Sequence, residues 1–263
     1  MEKTYPNHFL HPSAARRYAR ARPYFHPVVI ERVRTLLGLT EPLEAALDVG
    51  CGTGQSAQAL LAIARQVTAI DPSVAMLAEV PRDLGLVILE GRGEAMPVPS
   101  ASFDLVSAGM AFQWMKRARF LPETHRVLRP GGHLMIYNNG ISGRMLDDPA
   151  FKRWASRRSL KSFPIPPNYR YPLRDEQAEL YGLSFLFRET YENEVQLSID
   201  ALADYLLTQS NVIAHVEVGG HDAEELRRTL LEELSPLFPR PVMPFLFGGI
   251  LWILHKPPHE ARL

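Results

Sequence analysis

Apolar positions along this chain follow two spacings, and the switches between them mark out its elements. From Val28 to Leu37 the apolar residues recur at helical spacing and stop at Gly38, which predicts an amphipathic helix. Ala45-Ala46-Leu47 is a short unbroken apolar run, read as a buried strand. Gln55 to Arg65 returns to helical spacing through Ala57, Leu60, Leu61 and Ala64. Val67-Thr68-Ala69-Ile70 is a second strand that ends at Asp71. Further on, the pattern predicts a helix over Phe120–Val127, a strand over Phe185–Leu197, helices over Asp204–Ser210 and Asp222–Leu234, and a last strand over Phe245–His255. Residues 1–27 read as a helix with polar flanks, closed by Pro23 and Pro27. The stretch 144–180 breaks both spacings with Arg, Pro and aromatic residues such as Phe151, Trp154, Phe163, Pro164 and Tyr169. It is too apolar for a solvated linker and too interrupted for one long helix. A lid over 141–180 is expected there.

Strands alternating with helices predict an α/β protein with a mostly parallel sheet. The first strand runs into Leu47-Asp48-Val49-Gly50-Cys51-Gly52-Thr53-Gly54. A strand-to-helix turn of this kind needs bare backbone at φ values that a Cβ disfavours. The helix start beyond it offers unpaired N–H groups. Asp71, at the end of the next strand, can accept hydrogen bonds from two ribose hydroxyls. The unit therefore predicts an adenosine-type ligand. A phosphate-binding P-loop requires Lys followed by Ser or Thr after its last glycine, and here Gln55-Ser56 follows. A dinucleotide turn has the order G-x-G-x-x-G, whereas this one reads G-x-G-x-G. Asp48 beside a diphosphate would also add repulsion. A cationic donor without phosphate removes both objections.

LDVGCGTG resembles motif I of the class I S-adenosylmethionine-dependent methyltransferases. Gly91-Arg92-Gly93-Glu94-Ala95-Met96-Pro97 resembles the G-D-A-E-x-L-P segment after the third strand. Ser102-Phe103-Asp104 resembles the start of the fourth, and Val127-Leu128-Arg129-Pro130-Gly131-Gly132 the turn into the fifth. The resemblance covers roughly residues 40–140 and implies a seven-stranded Rossmann-like sheet with helices on both faces. It implies that Asp48, Gly50, Cys51, Gly52 and Gly54 cradle the methionine part of S-adenosylmethionine. Asp71 would hold the ribose, Ser73 and Met76 would border the adenine, and Gly93 would meet the adenine edge. Ala108 and Gly109 would line the pocket below the sulfonium. Arg92 departs from the pattern, because the family carries an acceptor there and a guanidinium cannot accept; stacking on the adenine or pairing with Glu94 is expected instead. Phe112-Gln113-Trp114 and the N-terminal Tyr18-Ala19-Arg20-Ala21-Arg22-Pro23-Tyr24 resemble small-molecule members of the type 11 group, including trans-aconitate methyltransferases. That implies active-site roles for Gln113 and Trp114 and contact between Tyr18 and the donor.

Composition narrows the partners. The 263 residues are 46% hydrophobic and carry a formal net charge of +0, enough for a substantial core and without a field that attracts nucleic acid. With one cysteine, Cys51, no internal disulfide can form, and the start MEKTYPNHFL lacks an apolar signal core. A cytoplasmic protein with no membrane-spanning segment is expected, organised as a single methyltransferase domain over 1–263. The residues exclude cytosine-C5 chemistry, since Cys51 sits in the donor turn, and adenine-amino chemistry, since Ser107-Ala108-Gly109-Met110 stands where an x-Pro-Pro-aromatic segment would. No metal is expected; Asp147-Asp148 is read as a helix cap before Pro149. The expected partner is a small organic methyl acceptor, with Arg22, Arg170 and Arg174 as candidate clamps for a carboxylate. Two other readings stand beside it. One is a module that binds the donor without turning it over. The other is an RNA methyltransferase using the basic, aromatic segment Arg16–Phe25. Oligomeric state is not legible.

Overall fold

The computed structural model describes residues 8–146, 149–155 and 172–258. They gather into two compact units. One comprises the described residues within 1–23, 140–169 and 192–248, the other those within 24–139, 170–191 and 249–263.

The second unit holds the alternating pattern. Strands β1 (Leu43–Val49), β2 (Ala64–Asp71), β3 (Val87–Glu90), β4 (Phe103–Gly109) and β5 (Leu128–Tyr137) lie side by side in the order β3-β2-β1-β4-β5, all parallel. The remaining strands are β6 (Gly140–Met145), β7 (Ser184–Ser198) and β8 (Val242–His255). Within the second unit, the end of β8 pairs antiparallel with β5, from His133↔His255 to Tyr137↔Leu251. Strand β7 also pairs with β8. The architecture is thus the expected mixed α/β class with a mostly parallel sheet, but with eight strands, β1 to β8, in place of the seven expected.

Each sheet face carries its own core, which is why these strands read as apolar runs rather than as alternation. Helices α1 (Pro12–Ala21), α2 (His26–Leu36) and α3 (Gln55–Leu60) come first in the chain, then α4 (Val74–Leu77) and α5 (Arg117–Val127). On one face, Val29, Ile30 and Val33 of α2 and Ala57 and Leu60 of α3 pack with Ala46, Leu105, Met135 and Ile253. On the other, Phe120 and Leu121 of α5 pack with Leu47, Val49, Val106 and Leu134. The strand order reverses between β1 and β4, and Asp48 sits opposite Ser107 across that junction. Ligands of open α/β sheets bind at this kind of switch point, beyond the carboxyl ends of the strands.

The first unit has a separate core. Strand β6 pairs with the beginning of β8, from Gly140↔Gly248 to Met145↔Phe245. Phe151, Tyr205, Phe245 and Phe247 are buried there. Chain order continues through α6 (Asp175–Glu179), α7 (Ile199–Leu206), α8 (Ser210–Glu217) and α9 (Ala223–Leu234). Leu202, Tyr205 and Leu206 of α7 and Leu230 and Leu234 of α9 line this core.

Two differences from the sequence reading have local causes. The helix after the glycine turn ends at Leu60, not Arg65, because Ala64, Arg65 and Gln66 join β2 beside Leu43 and Ala45. Alanine and isoleucine fit either spacing, so periodicity placed that boundary poorly. Residues 141–145, the start of the expected lid, belong to strand β6. Asp147, Asp148, Phe163 and Arg170 lie outside the described residues, as does most of the remaining lid. Among the described residues, no helix is long and apolar enough to cross a membrane. No cluster of three or more His, Cys, Asp or Glu could hold a metal among them.

Candidate functional site

The loops after β1, β2 and β4 meet at the switch point in the second unit. Gly50, Gly52 and Gly54 all adopt positive φ, at 73°, 55° and 84°. Two of them are also sterically required. A Cβ on Gly50 would lie 2.5 Å from Ala111 Cβ, and one on Gly54 would lie 2.8 Å from Val80 Cγ1. Gly52 differs, because a Cβ there would meet nothing within 4 Å. The turn therefore packs against protein at its ends and opens to space at its centre.

Two buried carboxylates brace it. Asp71 Oδ2 accepts from the Gly52 amide at 2.9 Å, and Oδ1 accepts from the Ser73 amide at 2.8 Å. Burial raises the Asp71 pKa, and those two amides pull it back. Asp48 is fully buried, and Ser56 Oγ donates to its Oδ2. Burial pushes the Asp48 carboxyl up to about 6, against the pull of Ser56, Ser107 and the Ala57 amide. Asp48 Oδ1 and Ser107 Oγ nonetheless complete no hydrogen bond of ordinary geometry. Neither acid has a basic partner among the described residues. Burial, followed by the two acids, drives the Cys51 thiol well above its usual range, which disfavours the reactive thiolate.

The other candidates differ in setting. Ser73 caps the four-residue α4, its Oγ accepting from the Met76 amide at 3.2 Å. Gly93 is packed so that a Cβ would lie 3.0 Å from Phe120 and 3.1 Å from Met115 and Val49. Arg92 is exposed and makes no ion pair with Glu94. Glu94 Oε1 accepts instead from the Lys116 amide at 2.8 Å, which anchors the loop after β4. Ala108 is fully buried in β4. Met110 follows at φ 58°, rare for a residue with a side chain. Its carbonyl accepts from Gln113 Nε2 at 2.7 Å, so the amide of Gln113 holds the turn that carries Trp114.

Tyr18 and Arg22 belong to the first unit. The Arg22 guanidinium lies over the rings of Tyr18 and Tyr205, 4.7 and 5.2 Å from their centroids, and donates to the Thr208 carbonyl at 2.9 Å. Arg174 precedes α6 in the second unit. From sequence His26 reads as an isolated packing or surface residue and Tyr137 carries no signal, yet their side chains meet in the second unit at 2.8 Å. Nothing in their spacing signals the pairing, since 111 positions separate them.

A family model for the methyltransferase domain matches residues 47–136, the stretch that builds this turn and its parallel strands. The chain carries a class I S-adenosylmethionine-dependent methyltransferase domain. An uncharacterized methyltransferase of Mycobacterium tuberculosis is 35% identical over 131 residues, 48% of this chain and 51% of the relative. A malonyl-[acyl-carrier protein] O-methyltransferase of Enterobacter lignolyticus is 31% identical over 166 residues, 57% of this chain and 66% of the relative. The chain thus spans about half the length of the first curated relatives it matches. A solved structure from Anaeromyxobacter dehalogenans, described provisionally as a type II methyltransferase, has a TM-score of 0.65 at 24% identity. It covers 88% of this chain and 97% of its own. The methyltransferase domain holds Asp48, the glycine turn, Asp71, Ser73, Met76 and Gly93, together with Gln113 and Trp114.

Proposed function

We propose that the protein transfers a methyl group from S-adenosylmethionine to a small organic acceptor. The observation that carries this is a glycine turn open at Gly52 and flanked by two buried carboxylates that have no basic partner among the described residues. Phosphate ligands are repelled by such a turn, whereas a donor with a sulfonium and an ammonium is attracted. Asp48 Oδ1, buried without a hydrogen-bond partner, is an acceptor suited to that ammonium or to a water beneath it. Asp71 has lone pairs left for ribose hydroxyls after accepting one amide on each oxygen. In this reading the Gly52 amide and the turn backbone meet the methionine part. Ser73 and Met76 border the adenine, and Gly93 offers its backbone to the adenine edge. Ala108 floors the sulfonium pocket, with Gln113 and Trp114 on the acceptor side.

When bound, the donor supplies a methyl on an already good leaving group, so the chain's own residues contribute position and a dry pocket. The Gln113–Met110 contact fixes the rim of that pocket. In this reading Trp114, carried by the same turn, supplies a cation–π wall for the sulfonium. The relative named for malonyl-[acyl-carrier protein] O-methylation puts oxygen acceptors within reach of the family. Calorimetry with S-adenosylhomocysteine and with NADH tests the donor assignment. Binding of the first alone is expected; binding of NADH alone would replace methyl transfer with a redox reading.

A further inference from the structure

We propose that Tyr137 and His26 form a proton-accepting pair on the acceptor side, so that the acceptor presents a hydroxyl or an amine rather than a carboxylate. The inference rests on the methyl-transfer reading above. Tyr137 closes β5 and His26 opens α2, and the phenol oxygen lies 2.8 Å from His26 Nδ1. Both residues are buried, at 1% and 6% exposure. Phe25 stacks on the imidazole at 4.2 Å between ring centres. The phenol lies against the end of β4, where a Cβ on Gly109 would come within 2.5 Å of Tyr137 Oη. The Tyr137 carbonyl also takes the Met110 amide at 2.8 Å, which ties β5 to the turn bearing Gln113 and Trp114. The donor assignment uses neither side chain, yet both stand at the carboxyl ends of β4 and β5, next to the β1–β4 switch point.

Methyl transfer to a neutral oxygen or nitrogen leaves one proton too many on the product. With water excluded, that proton needs a side chain to receive it. When Nδ1 is unprotonated, Tyr137 donates to it and keeps lone pairs for a further hydrogen bond. As the new C–O or C–N bond forms and the C–S bond breaks, the acceptor proton passes to Tyr137 Oη. The phenol proton passes to His26 Nδ1, and the sulfur keeps the electron pair. The other titratable groups around the pair are Tyr24, whose ring centre is 6.0 Å from that of His26, and Tyr191, which donates to the Asn138 carbonyl at 2.7 Å. Asp48 and Asp71 are engaged with Ser56 and with the Gly52 and Ser73 amides. A carboxylate acceptor arrives without a proton and would make the pair superfluous.

The test uses the full chain and the variants Tyr137→Phe and His26→Asn. Asparagine keeps a polar atom near the Nδ1 position but cannot take a proton, which separates a proton role from a packing role. S-adenosylhomocysteine affinity is measured first by calorimetry and is expected to stay within about twofold in both variants. Its absence in the parent would remove the donor reading itself. Release of S-adenosylhomocysteine is then followed with a panel of small alcohols, phenols, amines and carboxylates. Turnover of a hydroxyl or amine is expected, with both variants slower by about a hundredfold or more and the acidic limb of the pH–rate profile lost. Carboxylates as the turned-over class, or His26→Asn with the parental rate and pH profile, would overturn the proposal.

Discussion

The Asp71 carboxylate accepts from the Gly52 amide at 2.9 Å, across 19 positions of the chain. This contact sets the end of β2 against the centre of the glycine turn and leaves the same carboxylate facing the proposed ribose site. Asp71→Ala removes it together with every ribose contact the acid makes. Hydrogen bonds to charged groups contribute about 1.5–3 kcal/mol each. Affinity for S-adenosylhomocysteine should therefore fall by at least about tenfold. Asp71→Asn is not a rescue, because its two oxygens become one oxygen and one NH2, and the NH2 faces an amide donor at Gly52 or Ser73. Calorimetry on both variants checks this; parental affinity in Asp71→Ala would refute the ribose role.

Gly50 and Gly52 separate packing from ligand contact. Gly50→Ala must keep φ at 73° and place its Cβ 2.5 Å from Ala111 Cβ, which the buried turn cannot accommodate without moving. Gly52→Ala meets open space and carries only the strain of a positive φ, about 1–2 kcal/mol. Gly50→Ala should lower the melting temperature sharply. Gly52→Ala should fold nearly as the parent does but bind S-adenosylhomocysteine weakly, since its methyl enters the space proposed for the donor. Equal melting temperatures for the two variants would contradict this division.

The parallel strands and the glycine turn were legible because buried parallel strands are continuous apolar runs and because positive φ leaves glycine as a mark. Leu47, Val106 and Leu134 announce strands whatever lies around them. Other features depend on contacts that spacing does not encode. The boundary between α3 and β2 falls among Ala62, Ile63 and Ala64, which fit either period. The short strand Gly140–Met145 is set by its pairing with β8, a hundred or so positions later, and begins at an Asn-Gly pair that reads as a turn. Glu94 gives up the expected partnership with Arg92 for the Lys116 amide, because a backbone donor is already in place 22 positions on. Gln113 was legible as a candidate, but its engagement with the Met110 carbonyl was not.

Asp48 opposes stability in favour of the site. Its folded pKa of about 6 lies above the ordinary 3.8, because burial disfavours the charge. As pH rises from about 4, the unfolded chain loses this proton first. Stability then falls until the folded pKa is passed, and the penalty persists at neutral pH. Asp48→Asn should unfold at higher urea at pH 7, by the order of 2–3 kcal/mol, and gain nothing near pH 3.5. The same variant should bind S-adenosylhomocysteine more weakly at pH 7, since the proposed reading sets this carboxylate against the ammonium and an amide carries no charge. For the parent, that affinity should decline as pH falls below about 6. A variant no more stable than the parent at pH 7 would contradict the buried-charge argument.

His133 works against Asp48 over the same range of pH. It faces His255 across β5 and β8, with ring centres 5.3 Å apart. Burial first, and the charge of His255 second, lower its pKa from 6.5 to about 4. Below pH 6.5 the unfolded chain takes up this proton while the folded chain resists, so the stability it contributes above 6.5 is lost as pH falls through 4. Between pH 4 and 6 acidification thus relieves Asp48 and burdens His133, and the two slopes partly cancel in the parent. His133→Gln should remove the burden, so that its urea midpoint, relative to the parent's, rises as pH falls. Asp48→Asn should remove the relief and steepen the loss of stability in acid. Urea titrations of the three proteins at pH 4, 5, 6 and 7 resolve the two contributions. Coincident slopes for both variants and the parent would remove both assignments.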